Sequence, residues 1–473
     1  MASRILLINS NRCTTPDPVF PIGLAHLNAA LRRAGYQTSW ADRLGGPSIE
    51  ESVSRAEPDF IGISIRNIDD VLIRKRETFL PDLLSLMSEL RRITSSPVIL
   101  GGSGFSIFPR ELFELAGADF GIIGEGESGL VDLISALESG GDFSPIPGLV
   151  FRRQGNITIN LPSPALPEHG LTLEDSPDPV LAHYLNTSGM LNVQTQRGCS
   201  FRCCYCTYPV IEGRHHRRRP PESVASEFEQ LQRRGARYLF VVDSVFNSSP
   251  AHVSEVCEAL LRRNIQIPWG CFLRPQGLSP ALVRLMARAG LKHIEFGSDS
   301  FCDDVLQSYR KDFTLDDIVR SSELARQEQI DFCHYVIAGG PGETMATLRR
   351  GFENSRRLGD AVVMAVVGMR IYPGTSLFDQ AVAEGRIRPE TNLIDPIYYL
   401  ASGLEQEVVF KALQEFARTS PNWIVGDPEP SYQKLVVRLR QRGIVGPLWS
   451  YFSMIQQIRP HELAGLERRE SRT

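Results

Sequence analysis

The sequence predicts an α/β protein with three parts: an N-terminal doubly wound (Rossmann-like) domain, a partial (β/α)6 barrel of the TIM type, and a mainly helical C-terminal segment. Three observations carry this. Short, continuous apolar runs alternate with amphipathic stretches through residues 1–145. A second series of six strand–helix repeats fills residues 186–385, after a hairpin and Pro-rich linker at 146–185. From 386 to 473 the periodicity weakens, and the reading is helix packed over the barrel mouth with a frayed Arg- and Glu-rich end.

In the first domain, Ile5–Asn9, Thr38–Asp42, Phe60–Ile65, Val98–Gly102 and Phe120–Gly124 read as strands buried on both faces. Ile22–Ala34, Phe79–Ile93, Pro109–Ala116 and Gly129–Glu138 read as the helices between them. Gly148–Leu161 reads as a hairpin turning at Gln154-Gly155-Asn156, and prolines 162, 164, 167, 177 and 179 mark the linker. The second series has strands at Asn192–Gln196, Tyr238–Asp243, Trp269–Arg274, His293–Gly297, Phe332–Ala338 and Ala361–Ile371. Its helices are Pro221–Arg234, His252–Arg263, Pro280–Ala289, Leu315–Glu328, Met345–Leu358 and Ser376–Glu384. Ligands of doubly wound sheets and barrels sit at the carboxyl ends of strands. In the first domain those ends carry Ser64-Ile65-Arg66-Asn67, Gly101-Gly102-Ser103-Gly104 and Gly124-Glu125-Gly126-Glu127. Three such turns on one edge favour a ligand cleft, where glycine admits close approach to the backbone. The GxGxxG pattern is missing, which argues against a nicotinamide site.

At 42% hydrophobic and 22% charged, with net charge −4, the composition excludes any global preference for nucleic acid or anionic membranes. The longest apolar stretch, Ala361–Met369, is far short of the roughly 20 residues of a membrane span. The opening Met-Ala-Ser-Arg-Ile-Leu-Leu-Ile-Asn reads as a strand and not as a signal peptide. Nine cysteines, four of them within residues 199–206, fit metal use in a reducing cytoplasm better than a disulfide framework. Cys199, Cys203 and Cys206 are spaced CxxxCxxC directly after the first strand of the second series. Three thiolates on one loop can hold three irons of a 4Fe–4S cluster and leave the fourth open to a substrate or cofactor. Cys204, Cys13, Cys257, Cys271, Cys302 and Cys333 read as packed thiols, since free cysteine behaves as a small hydrophobe.

With these motifs the chain resembles the cobalamin-dependent radical S-adenosylmethionine enzymes, methyltransferase-like, over roughly residues 1–385. The resemblance makes residues 1–145 a cobalamin-binding domain and 186–385 a radical S-adenosylmethionine barrel. It implies that Cys199, Cys203 and Cys206 ligate the cluster, and that Tyr205, Asp243, Arg274 and Asp299 contact S-adenosylmethionine. It implies cobalamin contacts from Ser64, Arg66, Asn67, Gly101, Gly102, Ser103, Gly104, Gly124, Glu125, Gly126 and Glu127. Asp42-Arg43-Leu44-Gly45-Gly46 stands where cobalamin mutases carry a cobalt-ligating histidine, and holds none. The implied activity is methylation of an unactivated carbon of a small-molecule or carrier-bound intermediate, by a 5′-deoxyadenosyl radical and methylcobalamin. An external flavodoxin- or ferredoxin-type reductase would supply electrons. Catalytic residues beyond these contacts are not legible.

Two alternatives stay open. A relative of this class can cyclise or rearrange instead of methylating. A tRNA methylthiotransferase shares CxxxCxxC, but carries further N-terminal cysteines where this domain has only Cys13. The basic run Arg214-His215-His216-Arg217-Arg218-Arg219 has no aromatic interleaving, so it reads as a solvated loop or an anion contact and not as a nucleic-acid site.

Overall fold

A computed structural model describes residues 2–14, 17–162, 178–426, 430–449 and 451. Prolines 164, 167 and 177 of the linker, and the C-terminal residues from 452 on, lie outside the described residues. The chain divides into two compact units, Met1–Phe201 with Tyr205–Ser244 and Ile371–Ile397, and Arg202–Cys204 with Val245–Arg370 and Tyr398–Thr473.

In the first unit, β1 (Arg4–Asn9), β2 (Gln37–Asp42), β3 (Phe60–Ser64), β4 (Val98–Gly101) and β5 (Phe120–Ile122) form the expected parallel sheet. Ile5, Leu6, Leu7 and Ile8 of β1 are all buried. A continuous apolar run is what a strand covered by helices on both faces requires. Helices at Ile22–Arg33, Leu80–Ile93, Pro109–Ala116 and Glu127–Ser139 match the sequence reading, and short ones at Ile49–Ala56 and Ser103–Ile107 were not legible. The hairpin is β6 (Leu149–Arg153) and β7 (Asn156–Ile159), and it joins the sheet, antiparallel to β5. The order is β2-β1-β3-β4-β5-β6-β7. An unpaired β5 edge would leave a row of backbone groups without partners, and the hairpin covers it. Still in this unit, β8 (Met190–Val193) runs parallel to β11 (Tyr238–Val241). Between them β9 (Gln196–Arg197) pairs antiparallel with β10 (Arg217–Arg218).

The second unit holds β12 (Trp269–Leu273), β13 (Leu291–Asp299), β14 (Asp331–Ala338) and β15 (Val362–Val367), parallel in that order. Helices Pro280–Arg288, Leu315–Gln327 and Met345–Ser355 alternate with them. The last two open with capping boxes, at Thr314–Asp317 and Thr344–Thr347. The single strand expected at Ala361–Ile371 is broken at Gly368, whose φ is 77°; β16 (Met369–Arg370) then pairs antiparallel with β17 (Tyr398–Tyr399).

The C-terminal segment is mainly helical, as expected, with helices at Gln406–Thr419 and Pro430–Gln441, and adds two features. It is not only helical: β18 (Trp423–Val425) pairs parallel with β15, and Asn422 Nδ2 donates to Ala361 O at 2.7 Å. An aromatic and two β-branched residues suit a strand, but three residues are too few to give a periodicity. Nor does the segment lie only at the strands' carboxyl ends. Ala401 does donate to Gly339 O there. Val436, Leu439, Leu448 and Trp449 instead pack with Cys333 and Val362, in the amino-terminal halves of β14 and β15, and with Ile424 of β18. Trp449 Nε1 donates to Glu295 Oε1 at 3.1 Å, and Tyr335 Oη to Glu295 Oε2 at 2.7 Å. Among the described residues no helix is long and apolar enough to cross a membrane.

Trp423 is 2% exposed and lies 5.2 Å from Phe416, 5.5 Å from Phe352 and 6.0 Å from Phe301, ring centre to ring centre. We expect Trp423→Ala to cost about 3–5 kcal/mol and Trp423→Phe much less, read as the lowering of the chemical unfolding midpoint.

Candidate active site

At the carboxyl edge of the first sheet the loops are knitted to one another. Ile65 N donates to Gly101 O at 2.8 Å, Gly104 N to Ile65 O at 2.9 Å, and Ser103 Oγ to Arg66 O at 2.7 Å. Ser106 Oγ donates to Gly102 O and accepts from Gly124 N at 2.8 Å. Gly102 has φ 96°, and a Cβ there would lie 2.6 Å from Ile65 O. Its glycine therefore serves the approach of the neighbouring loop, not only of a ligand.

A cleft in this unit is lined by Ser10, Asn11, Arg66, Asn67 and Thr78 with Ile65, Ile68 and Leu83. Asn11 Nδ2 is buried there without a hydrogen-bond partner, and Arg66 has no ion-pair partner among the described residues. Desolvation lowers the Arg66 pKa. An amide nitrogen without a partner, on an Asn11 whose oxygen accepts from Cys13 N, and a guanidinium without an ion pair, beside apolar walls, fit a large, polar, amide-bearing cofactor such as a corrin. Asn11 was not legible from sequence, because its significance lies in having no partner. Asp42, from the loop without a histidine, is turned inward: its Oδ2 accepts from Tyr184 Oη at 2.7 Å and from Asn9 Nδ2 at 3.1 Å.

Glu125 and Glu127 are engaged inside the protein. Arg197 Nη2 lies 2.6 Å from Glu127 Oε1 and its Nη1 3.4 Å from Glu125 Oε2, while Arg217 pairs with Glu125 Oε1. Arg197, Glu125 and Arg217 are nearly inaccessible, with side chains 8%, 7% and 10% exposed. Both glutamates are expected at cobalamin from the sequence; their carboxylates anchor the strand that leads into the cysteine loop, because two arginines lie within reach. Desolvation works against the Glu127 carboxylate, yet Arg197 outweighs it and holds the pKa down at about 2. His26, buried beside this network, is pushed down to about 3, chiefly by desolvation and then by the Arg197 charge, so its ring is neutral. Two residues of the basic run are likewise engaged inside, Arg217 with Glu125 and Arg219 with Glu227 at 2.6 Å, while Arg214, His215 and Arg218 are exposed.

The cysteine loop begins at Gly198, whose φ is 85° and where a Cβ would lie 2.0 Å from His215 O. Gly198 N donates to Glu212 Oε2 at 2.9 Å, Cys199 N to Gly213 O at 3.0 Å, and Ser200 N to His216 Nε2 at 3.4 Å. Asp243, two residues past β11, is fully buried. Its carboxylate accepts from Thr195 N at 2.7 Å, Thr195 Oγ1 at 2.5 Å and Gln196 N at 3.3 Å. Burial pushes its pKa up to about 7, against these donors. Asp243 thus holds the approach to the loop, and a methionyl ammonium would have to share it.

In the second unit, Arg274 and Asp299 sit at the carboxyl ends of β12 and β13. Arg274 Nη1 lies 3.9 Å from Cys203 Sγ, and its Nη2 pairs with Asp312. Asp299, with φ 63°, pairs with buried Lys311, a partner that sequence spacing did not reveal. Cys204 is buried, its N–H donates to Tyr309 O at 3.1 Å, and desolvation pushes its thiol up to about 12. Tyr205, Cys203 and Cys206 are half-buried, and none of the nine cysteines is in a disulfide. Among the described residues no group of three or more His, Cys, Asp or Glu is gathered around a single ion position. A 4Fe–4S cluster does not ask for one, since each thiolate takes a different iron. Three thiols outside any disulfide at CxxxCxxC spacing, one of them 3.9 Å from a guanidinium nitrogen, fit that cluster.

Arg197→Gln is expected to cost about 3–5 kcal/mol by leaving Glu127 without its partner and Glu125 with Arg217 alone, with Arg197→Lys milder, both read from unfolding midpoints. Glu343 gives a pH signature. Desolvation raises it from 4.5 to about 7, against a bond from Gly339 N. Between those values the folded state binds the extra proton, so its contribution to stability falls as pH rises from about 4.5 to about 7 and is level above. The difference in stability between wild type and Glu343→Gln, measured across that window, should carry the slope.

Residues 193–352 match the Radical SAM superfamily and residues 12–134 the B12 binding domain. The chain is similar to tryptophan 2-C-methyltransferase of Streptomyces laurentii, 24% identical over 438 residues, covering 78% of this chain and 73% of that one. It is similar to cytidylyl-2-hydroxyethylphosphonate methyltransferase of Streptomyces wedmorensis, 21% identical over 460 residues and 84% of each chain. Among solved structures it resembles the radical S-adenosylmethionine methyltransferase TsrM from Kitasatospora setae, with cobalamin and a 4Fe–4S cluster bound. The TM-score is 0.85 at 23% identity, over 97% of this chain and 98% of that one. With a B12 binding domain ahead of a radical SAM domain on one chain, the protein is a cobalamin-dependent radical S-adenosylmethionine enzyme.

Proposed function

We propose that the enzyme is a C-methyltransferase acting on an unactivated carbon of a small-molecule or carrier-bound biosynthetic intermediate. The observation that carries this reading is the similarity to a tryptophan C-methyltransferase through most of both chains. When bound, the 4Fe–4S cluster supplies the electron that opens S-adenosylmethionine, and cobalamin supplies the methyl carrier. Cys199, Cys203 and Cys206 would hold the cluster, with Tyr205 beside the adenine. Asp243 and Asp299 would act from their buried hydrogen bonds to Thr195 and Lys311. Arg66, Asn67 and Asn11 would meet the corrin from the cleft of the first unit, beside the turns Gly101–Gly104 and Gly124–Glu127. Glu125 and Glu127 would act through Arg197, holding the cysteine loop's entry in place. A flavodoxin- or ferredoxin-type reductase and a cytoplasmic setting complete the reading, supported by nine cysteines without a disulfide.

Anaerobic purification with cobalamin, followed by substrate screening and mass analysis, tests it. The expected product is heavier by one methylene. Deoxyadenosine formed with no methylated product sinks methylation and points to cyclisation or rearrangement. Cys203→Ala should lose most of the iron and all product while keeping cobalamin, as measured by metal analysis and the corrin absorption spectrum.

A further inference from the structure

The second unit carries a charge arrangement around Cys203 that the proposed reaction does not by itself explain. Arg274 is 6% exposed. Its backbone is fixed by Asn247, which accepts from Arg274 N at 3.0 Å and donates to Arg274 O at 2.9 Å. Its guanidinium lies over the Phe313 ring, 5.1 Å from the centroid, with Nη1 3.9 Å from Cys203 Sγ. The Lys311 ammonium lies 5.9 Å from the same centroid. Two cations thus share one aromatic ring beside one thiol.

Their counter-charges differ. Lys311 and Asp299 are both buried, with side chains 5% and 4% exposed, so that pair is close to neutral as seen from its surroundings. Arg274 pairs with Asp312, whose side chain is 58% exposed. Water screens that carboxylate far more than it screens a guanidinium buried against Phe313. The Arg274 guanidinium, 3.9 Å from Cys203 Sγ, therefore brings positive charge directly beside that sulfur. Charge and hydrogen-bond donors near a cluster sulfur stabilise the more negative, reduced cluster and raise its reduction potential.

We propose that Arg274 sets the reduction potential of the cluster through Cys203, with Asp312 tempering its charge and Phe313 fixing its plane. The inference rests on Cys203 being a cluster ligand. It gives Arg274 a task different from the methionyl carboxylate contact expected from sequence, and the two tasks are separable by experiment.

The test is an EPR-monitored redox titration of the reconstituted holoenzyme, without substrate, for wild type, Arg274→Gln, Arg274→Lys and Asp312→Asn. S-adenosylmethionine affinity is measured on the same samples by calorimetry. At the wild-type midpoint potential, the reduced-to-oxidised ratio of the cluster should fall about tenfold in Arg274→Gln, as expected for a screened charge near the sulfur. Arg274→Lys should recover most of that loss. Asp312→Asn should shift the ratio the opposite way, and its exposed position keeps the test standing if Arg274→Gln fails to fold. S-adenosylmethionine affinity should change little in any of them. An unchanged potential in Arg274→Gln or Asp312→Asn overturns the proposal, and weakened S-adenosylmethionine binding with unchanged potential assigns Arg274 to the carboxylate. Wild-type protein that takes up no iron and sulfide on reconstitution overturns the ligand reading of Cys203, and this inference falls with it.

Discussion

The buried network of Arg197 with Glu127, Glu125 and Arg217 is the constraint on which the proposed chemistry depends. Arg197 immediately precedes the Gly198-Cys199 start of the cysteine loop, while Glu125 and Glu127 follow β5 of the first sheet. A pair of this kind gains little net stability, because desolvating the charges offsets most of their attraction. What it provides is registry. A guanidinium with carboxylates on both sides has few other arrangements of similar energy, so the entry of the loop is fixed against the carboxyl edge of the first sheet. Gly198, with its positive φ, and Asp243, with its bonds to Thr195 and Gln196, hold the same stretch from two further directions.

This arrangement accounts for polar residues that have no catalytic task. The basic run at Arg214–Arg219, which looks like an anion-binding surface, supplies partners for Glu125 and Glu227. The glycines at 102 and 104 let the loops after β3 and β4 approach, and Ser106 ties that ledge to the loop after β5. Asn11 Nδ2, buried without a partner, and the Arg66 side chain both line the cleft.

The second unit follows the same economy at the ends of its strands. Arg274 pairs with the exposed Asp312 and Asp299 with the buried Lys311, and Tyr309 accepts from Gly340 N and donates to Ile337 O. Away from those ends, Glu295 is held by Tyr335 and Trp449, which ties the C-terminal segment into the interior of the unit.

The sequence by itself determined the fold class, nearly all of the strands and longer helices, and the cysteine motif with the cofactors it implies. These are local properties: hydrophobic period, turn residues and the spacing of three thiols on one loop. Tertiary structure alone decided which charges meet. Glu127 and Arg197 are 70 residues apart and Asn9 and Tyr184 175, so no local pattern announces either contact. It also decided that the hairpin covers the edge of β5, that Trp423–Val425 becomes a strand, and that Trp449 reaches Glu295. Each depends on a free edge or a buried polar atom that exists only once the rest of the chain has folded around it.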